Sequence, residues 1–359
     1  METLLTVFSK CLPCFPDLST PYVSINNAKY KIIRLLGEGG FSYVYLVSHK
    51  SNNNSQYALK KIRCPFGSDD ETFKNAMKEI KNYHRFSNSK TPYIIQSIDE
   101  TIINENDGSK TIYILLPYFE NSLQDIITYN VLNDLTMDED EILKIFIGVC
   151  RGLQAMHKFK RTGRTHSTAN DEEEEDLLLP AASDDEDGVS ASNGTELQEL
   201  TPFAHRDIKP ANVMLSAEGL PVLVDLGSCS KANFSIKNRQ QALTLTDFAQ
   251  EHCTLPYRAP ELLDVATNTE ITEKTDIWSL GCLLYACCFG FSPFEKLEIE
   301  QGANLNLAIS QGNYSIPQNN KGYSDELISL IKDCLVLDSS KRPSVDELLD
   351  KALELTRRQ

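Results

Sequence analysis

The run His205-Arg206-Asp207-Ile208-Lys209-Pro210-Ala211-Asn212 collects side chains suited to moving a phosphoryl group. Asp207 can orient and deprotonate an incoming hydroxyl, and Lys209 can neutralise charge on the group in transit. Asp225-Leu226-Gly227 follows thirteen residues after Asn212. Asn212 and Asp225 are oxygen donors of the kind Mg2+ takes, since that ion binds few protein oxygens and completes its shell with phosphates. Phosphoryl transfer needs positioning and charge neutralisation more than covalent chemistry, and this set supplies both.

Two upstream features add to it. Gly37-Glu38-Gly39-Gly40-Phe41-Ser42-Tyr43-Val44 lies between two strand-like runs, and Gly37 and Gly39 would let a hairpin aim backbone N–H groups at phosphate oxygens. Taken alone it is an ordinary glycine hairpin, and it lacks the Gly-Lys-Ser/Thr and following helix of a Walker A loop. Lys60 ends the strand-like Tyr57-Ala58-Leu59-Lys60, and Glu79 sits mid-helix among apolar residues. Paired, the two would hold an ammonium on the α- and β-phosphates.

The elements that must position these groups follow from periodicity. Tyr30–Leu36, Tyr43–Ser48, Tyr57–Ile62, Tyr93–Ile103 and Lys110–Leu116 have strand character, and Phe73, Met77 and Ile80 predict a helix over Glu71–Arg85. A five-stranded antiparallel sheet with one helix is expected. Beyond Pro117 the pattern turns helical, with Ile142, Ile145, Phe146, Val149, Leu153 and Met156 on one face, then helices over Thr275–Phe289, Asp325–Val336 and Val345–Leu355. No internal repeat is visible.

Thr165–Phe203 holds twelve Asp or Glu and no Lys or Arg, so twelve of the sixteen excess negative charges belong to one insert. Its composition predicts disorder. In it Ser183, followed by Asp184, Asp185 and Glu186, suits an acidophilic modifying enzyme. The acidic balance argues against nucleic-acid binding. The ten Cys show no paired CxxC spacing, which fits reduced thiols and no zinc site. No apolar run approaches a membrane span, and the N-terminus lacks a secretory cleavage pattern.

The catalytic run resembles that of the eukaryotic protein kinases. Thr254-Leu255-Pro256-Tyr257-Arg258-Ala259-Pro260-Glu261 is similar to the end of their activation segment, and Asp276-Ile277-Trp278-Ser279-Leu280-Gly281 to the central helix of their large lobe. The resemblance implies an α+β, bilobal fold over residues 30–355, with a small lobe over 30–117, a large lobe over 118–355, the acidic insert 165–203 and a tail over 1–28. It implies ATP with Mg2+, or Mn2+ in its place. The nucleotide would be held by Leu36, Gly37, Gly39, Val44, Ala58, Lys60 and the hinge Pro117, Tyr118 and Phe119 behind the gatekeeper Leu116. Arg342 is expected to pair with Glu261, and Thr254 to bond Asp207 or Lys209. Lys209 resembles the Ser/Thr class, and protein substrates are expected. Ser42 in place of the third glycine and Leu226 in place of the usual Phe depart from the pattern without removing a catalytic group.

A narrower resemblance joins Asp225-Leu226-Gly227, Asn238–Ala249 and Ser279–Gly290 to the Numb-associated kinases, nearest their small lipid-anchored branch with fungal members at the vacuolar membrane. It implies an extra helix in the activation segment, although on spacing alone a plain loop fits Asn238–Ala249 equally well. Glu2 closes the myristoylation route. Cys11 and Cys14, beside Leu4, Leu5, Val7 and Phe8, are then candidates for palmitoylation, and two chains anchor where one is marginal. The expectation is a kinase on the cytosolic face of a vacuolar or Golgi-related membrane, in part cytoplasmic, that controls trafficking or fusion. The rival is a pseudokinase scaffold. The sequence specifies no oligomeric state.

Overall fold

Alternation in Ser42–His49 sends successive side chains to opposite faces of a sheet, and the computed structural model builds that sheet with six strands. It describes residues 22–39, 42–87, 91–161, 199–318 and 322–358. Cys11, Cys14 and nearly all of the acidic insert, Ser183 included, lie outside the described residues. Contacts divide the chain into a small unit, Met1–His84 with Gln96–Tyr118, and a large unit, Arg85–Ile95 with Phe119–Gln359.

In the small unit the strands are β1 (Tyr22–Ile25), β2 (Ala28–Glu38), β3 (Ser42–His49), β4 (Asn52–Cys64), β5 (Asp99–Asn104) and β6 (Lys110–Pro117), in the order β1-β2-β3-β4-β6-β5. The expected sheet lacked β1, which pairs antiparallel with β2 through a turn at Asn26, whose φ of 47° an Asn tolerates. The expected strand over 93–103 is also shorter. Only Asp99–Asn104 joins this sheet, while Tyr93 and Ile95 bond to Leu223 in the large unit. Ile25, Tyr30, Tyr45, Val47, Leu59 and Leu115 form the apolar core on one face. The register Val44↔Lys60↔Ile114 and Leu46↔Ala58↔Leu116 therefore places Val44, Ala58, Lys60 and Leu116 together on the other. Helix α1 (Glu71–Ser87) includes the expected helical span.

The large unit is mainly helical. Helix α2 (Leu123–Leu132) starts at a capping box between Ser122 and Asp125. Along α3 (Glu139–His157) the predicted apolar stripe is at most 2% exposed. Gly148 and Gly152 let the hairpin of β7 (Val213–Leu215) and β8 (Pro221–Leu223) lie against it: a Cβ on Gly148 would meet Pro221 Cγ at 2.2 Å. Strands β9 (Phe234–Ile236) and β10 (Thr269–Ile271) flank α4 (Arg239–His252). Helix α5 (Lys274–Phe289) is buried at every residue from Thr275 onward, as an all-round apolar helix at the centre of a domain must be. Helices α6 (Pro293–Gln301), α7 (Leu305–Ser310), α8 (Asp325–Cys334) and α9 (Val345–Arg358) complete the unit. Among the described residues no single helix is long and apolar enough to cross a membrane.

Candidate active site

The small unit holds an ion pair. Lys60 Nζ lies 2.7 and 2.8 Å from the two carboxylate oxygens of Glu79. Tyr83, one turn along α1, donates its hydroxyl to Glu79 Oε1 at 2.6 Å. Glu79 is 4% exposed, so this second donor offsets part of the cost of burying the carboxylate. Gly37 pairs with Val44, and Leu36 sits at a register shift in β2, the kind of irregularity that sharpens strand twist. Gly39 and Ser42 exchange backbone hydrogen bonds of 2.8 and 3.3 Å across the hairpin tip. Pro117 ends β6, followed by Tyr118, whose hydroxyl accepts from Arg34 at 3.4 Å. Phe119 opens the second stretch of the large unit.

The large unit holds its own polar cluster, around Asp207. Asn212 Nδ2 donates to Asp207 Oδ2 and to its carbonyl, both at 2.9 Å. Lys209 Nζ lies 2.7 Å from Oδ2 and donates to Thr254 Oγ1 at 2.6 Å. The Thr254 N–H donates to Asp207 Oδ1 at 2.9 Å. Thr254 thus bonds both expected partners. Three of these contacts, from Asn212 Nδ2, Lys209 Nζ and the Thr254 N–H, orient the Asp207 carboxylate, and Asn212, expected only as a metal donor, is also one of its supports.

The loop is held from beneath by Asp276 in the first turn of α5. Its carboxylate is 0% exposed and accepts the N–H groups of His205 and Arg206, each at 2.8 Å, with His157 Nε2 at 3.0 Å. Burial alone would raise its pKa, but the hydrogen bond and charge of His157, with the nearby His205 and the Arg206 N–H, hold it below the ordinary carboxylate value. Arg206 takes a positive φ of 68°, and its guanidinium binds Ser230 Oγ and the carbonyls of Lys231 and Ala232 at 2.9–3.0 Å. His205 Nε2 lies 3.0 Å from the Val224 carbonyl, and the Val224 N–H donates to Asn212 O at 3.0 Å. The next residue, Asp225, is left-handed with φ 60°, a conformation uncommon outside glycine that clusters at functional sites. Leu226 is buried at 0% exposure.

Comparison with known proteins matches the chain to the protein kinase domain over residues 30–162 and 199–353. It is 41% identical to serine/threonine-protein kinase ENV7 of Saccharomyces cerevisiae, with 96% of both chains covered. It is 38% identical to serine/threonine-protein kinase ppk13 of Schizosaccharomyces pombe, covering 93% of this chain and 95% of that one. Against human serine/threonine-protein kinase 16 the identity is 34%, over 92% and 91%. The chain belongs to the protein kinase family. The kinase is of the serine/threonine type, and its family implies ATP and a divalent metal ion.

The residues present fit those groups. With its Nδ2 committed to Asp207, the amide of Asn212 offers Oδ1 on its other side, a neutral oxygen to accompany the carboxylate of Asp225. A Cβ on Gly37 would meet nothing within 4 Å, so the backbone there is open to a ligand. Glu261 and Arg342 form a two-pronged pair of 2.6 and 2.8 Å in the kinase, and Arg342 also binds the carbonyls of Val336, Leu337 and Lys274. Sequence reasoning missed Tyr83 and the anchoring role of Asp276. The four-residue spacing of Glu79 and Tyr83 on a helix was a usable signal for the first. No local signal marked the second.

Proposed function

We propose that the kinase transfers the γ-phosphoryl group of ATP to protein Ser/Thr hydroxyls with Asp207 as base, at the cytosolic face of a vacuolar or Golgi-related membrane, in control of trafficking or fusion. The three donors converging on Asp207 carry the catalytic half of this reading, because a base must be aimed before it can act. ATP with its metal ion supplies the phosphoryl group and the counter-charge on it. Lys60, held by Glu79, binds the α- and β-phosphates. Leu36, Gly37, Gly39, Val44, Ala58, Pro117, Tyr118 and Phe119 hold the rest of the nucleotide, and Asn212 and Asp225 hold Mg2+ or Mn2+. Asp207 takes the substrate proton while Lys209 neutralises the moving charge.

Helix α4 supports the narrower resemblance to the Numb-associated kinases, whose activation segments carry an extra helix. The membrane half rests on that resemblance and on Cys11 and Cys14 beside apolar residues, where two acyl chains would anchor the tail. Radiolabelled phosphate transfer to a generic protein should be lost in Asp207→Ala and Lys60→Ala. Equal transfer by wild type and both variants would overturn the catalytic reading. Hydroxylamine-sensitive palmitate labelling, with membrane recovery, should vanish in Cys11→Ser/Cys14→Ser, and labelling that survives sinks the anchor.

A further inference from the structure

Arg258 follows the activation-segment turn that contains Thr254, and its side chain folds back over that turn. It is 8% exposed. Its Nε and Nη2 donate to the Cys253 carbonyl at 3.2 and 2.6 Å, and Nη2 also reaches the Gln250 carbonyl at 3.5 Å. Both acceptors lie at the C-terminal end of α4, where carbonyls have no intrahelical partner. The main chain of the turn is fixed separately, by Tyr257 N–H to Thr254 O at 3.0 Å and by Ser279 Oγ to Tyr257 O at 2.7 Å.

The Cys253 carbonyl and the Thr254 N–H belong to one peptide group. A trans peptide is planar, with its C=O and N–H pointing in opposite directions. Gripping the carbonyl therefore sets the direction of the N–H, and that N–H holds Asp207 Oδ1 at 2.9 Å. A single peptide plane links a buried guanidinium on one side to the base on the other. A carbonyl that merely needed a partner would be served by water or an amide. Burying a guanidinium to supply two donors is costly unless the geometry itself is required.

We propose that Arg258 is a positioning residue for phosphoryl transfer, acting through the Cys253–Thr254 peptide on Asp207. The inference rests on Asp207 serving as base. It concerns turnover and not nucleotide binding, because the hydrogen bonds of the Arg258 side chain go to the Cys253 and Gln250 carbonyls, neither of which is assigned to ATP.

Arg258→Met removes the donors at similar volume, and Arg258→Lys keeps the charge and one donor. In R258M, kcat should fall about 10- to 100-fold, the scale of a small misplacement of a reacting group, while ATP affinity and the unfolding midpoint stay near wild type. R258K should recover part of the loss. A double-mutant cycle then isolates the route. Thr254 has φ −66°, a value proline adopts, so Thr254→Pro deletes the N–H without backbone strain at that residue. R258M should lose most of its effect on kcat in the T254P background and keep it in T254A, which loses the side-chain hydroxyl and methyl but retains the N–H. The proposal is overturned by R258M turnover within about twofold of wild type, by ATP affinity falling in step with kcat, or by an equal cost in T254P. Should T254P be too slow to assay, the split between kcat and affinity in R258M and its recovery in R258K decide. Should R258M not fold, R258K carries the same readouts. Asp207→Ala, run alongside, separates the two ideas: full activity in D207A defeats the base assignment, whereas an inactive D207A with a fully active R258M defeats only the role of Arg258.

Discussion

Asp276→Asn tests how the catalytic loop is supported. The carboxylate has two oxygens, one on the Arg206 N–H and the other shared by the His205 N–H and His157. An amide has one oxygen, so in either orientation an NH2 group faces a buried backbone N–H. Leaving that donor unsatisfied costs about 1–3 kcal/mol, and weakening the remaining charge-assisted bonds adds roughly 1 kcal/mol. For a unit of this size about 3 kcal/mol corresponds to a midpoint lower by roughly 6–12 °C. Trp278, the only tryptophan in the chain, is fully buried two residues along the same helix, so its fluorescence reports the unfolding. A pH arm sharpens the test. The Asp276 pKa is depressed in the fold, so its contribution is complete above the unfolded value of 3.8 and is lost as pH falls through the lower folded value. The gap between wild type and variant should therefore narrow below about pH 4. Midpoints within about 0.5 kcal/mol of each other at pH 7, or a gap that stays constant into acid, would refute the anchoring argument.

Lys60→Met and Glu79→Gln should each lower kcat/KM by about 10²–10³-fold, as loss of a phosphate-directed charge does, with circular dichroism unchanged. A normal E79Q rate would mean the ion pair does not orient Lys60. Glu261→Ala leaves the Arg342 guanidinium, whose side chain is 0% exposed, with backbone carbonyls alone, and should cost about 3 kcal/mol in urea unfolding. Gly148→Ala drives a methyl into Pro221 and should destabilise by about 1–3 kcal/mol, chiefly seen as a lower urea midpoint. Burial pushes the Cys253 thiol up to about 12 and raises Cys64, Cys150, Cys282, Cys287 and Cys334 as well, so these thiols should resist a thiol reagent at pH 8 until denaturant is added.

Much of the site was legible because it is local in the chain. Asp207, Lys209 and Asn212 occupy one loop, so their spacing alone placed them together, and Lys60 and Glu79 could be matched because each sits on a strongly patterned element. Strand β1 escaped notice. Four residues among prolines give little alternation, although Asn26-Asn27 between Ile25 and Ala28 is a fair hairpin signal. The run Tyr93–Ile103 looked like one strand because it is apolar and β-branched, but tertiary pairing with Leu223 divides it. Helix α4 was undecided on spacing. Its caps settle the matter: Asn238 accepts the Gln241 N–H at the start, and Arg258 takes the end carbonyls. Asp276 and Arg258 were unreadable in principle, because each acts on backbone atoms far along the chain or across a turn.

The match to the kinase domain begins at residue 30, yet β1 lies before it and covers the outer side of β2 from Ala28 to Lys31. A chain begun at residue 30 would keep all the residues assigned to chemistry and lose this cover. The start of β2, with Ile32 and Ile33 following, would become an open edge with unpaired N–H and C=O groups, the surface on which two copies stick together. Asn26 also bonds Asp99 Oδ1 at 2.7 Å and the Glu100 carbonyl at 3.2 Å, so the same cut removes a tie to the first residues of β5, at the opposite end of the strand order, and leaves them paired with β6 alone. Five residues outside the recognised domain, Tyr22 to Asn26, thus act as a hem on both borders of the sheet, and they bear on whether the protein stays dispersed at high concentration.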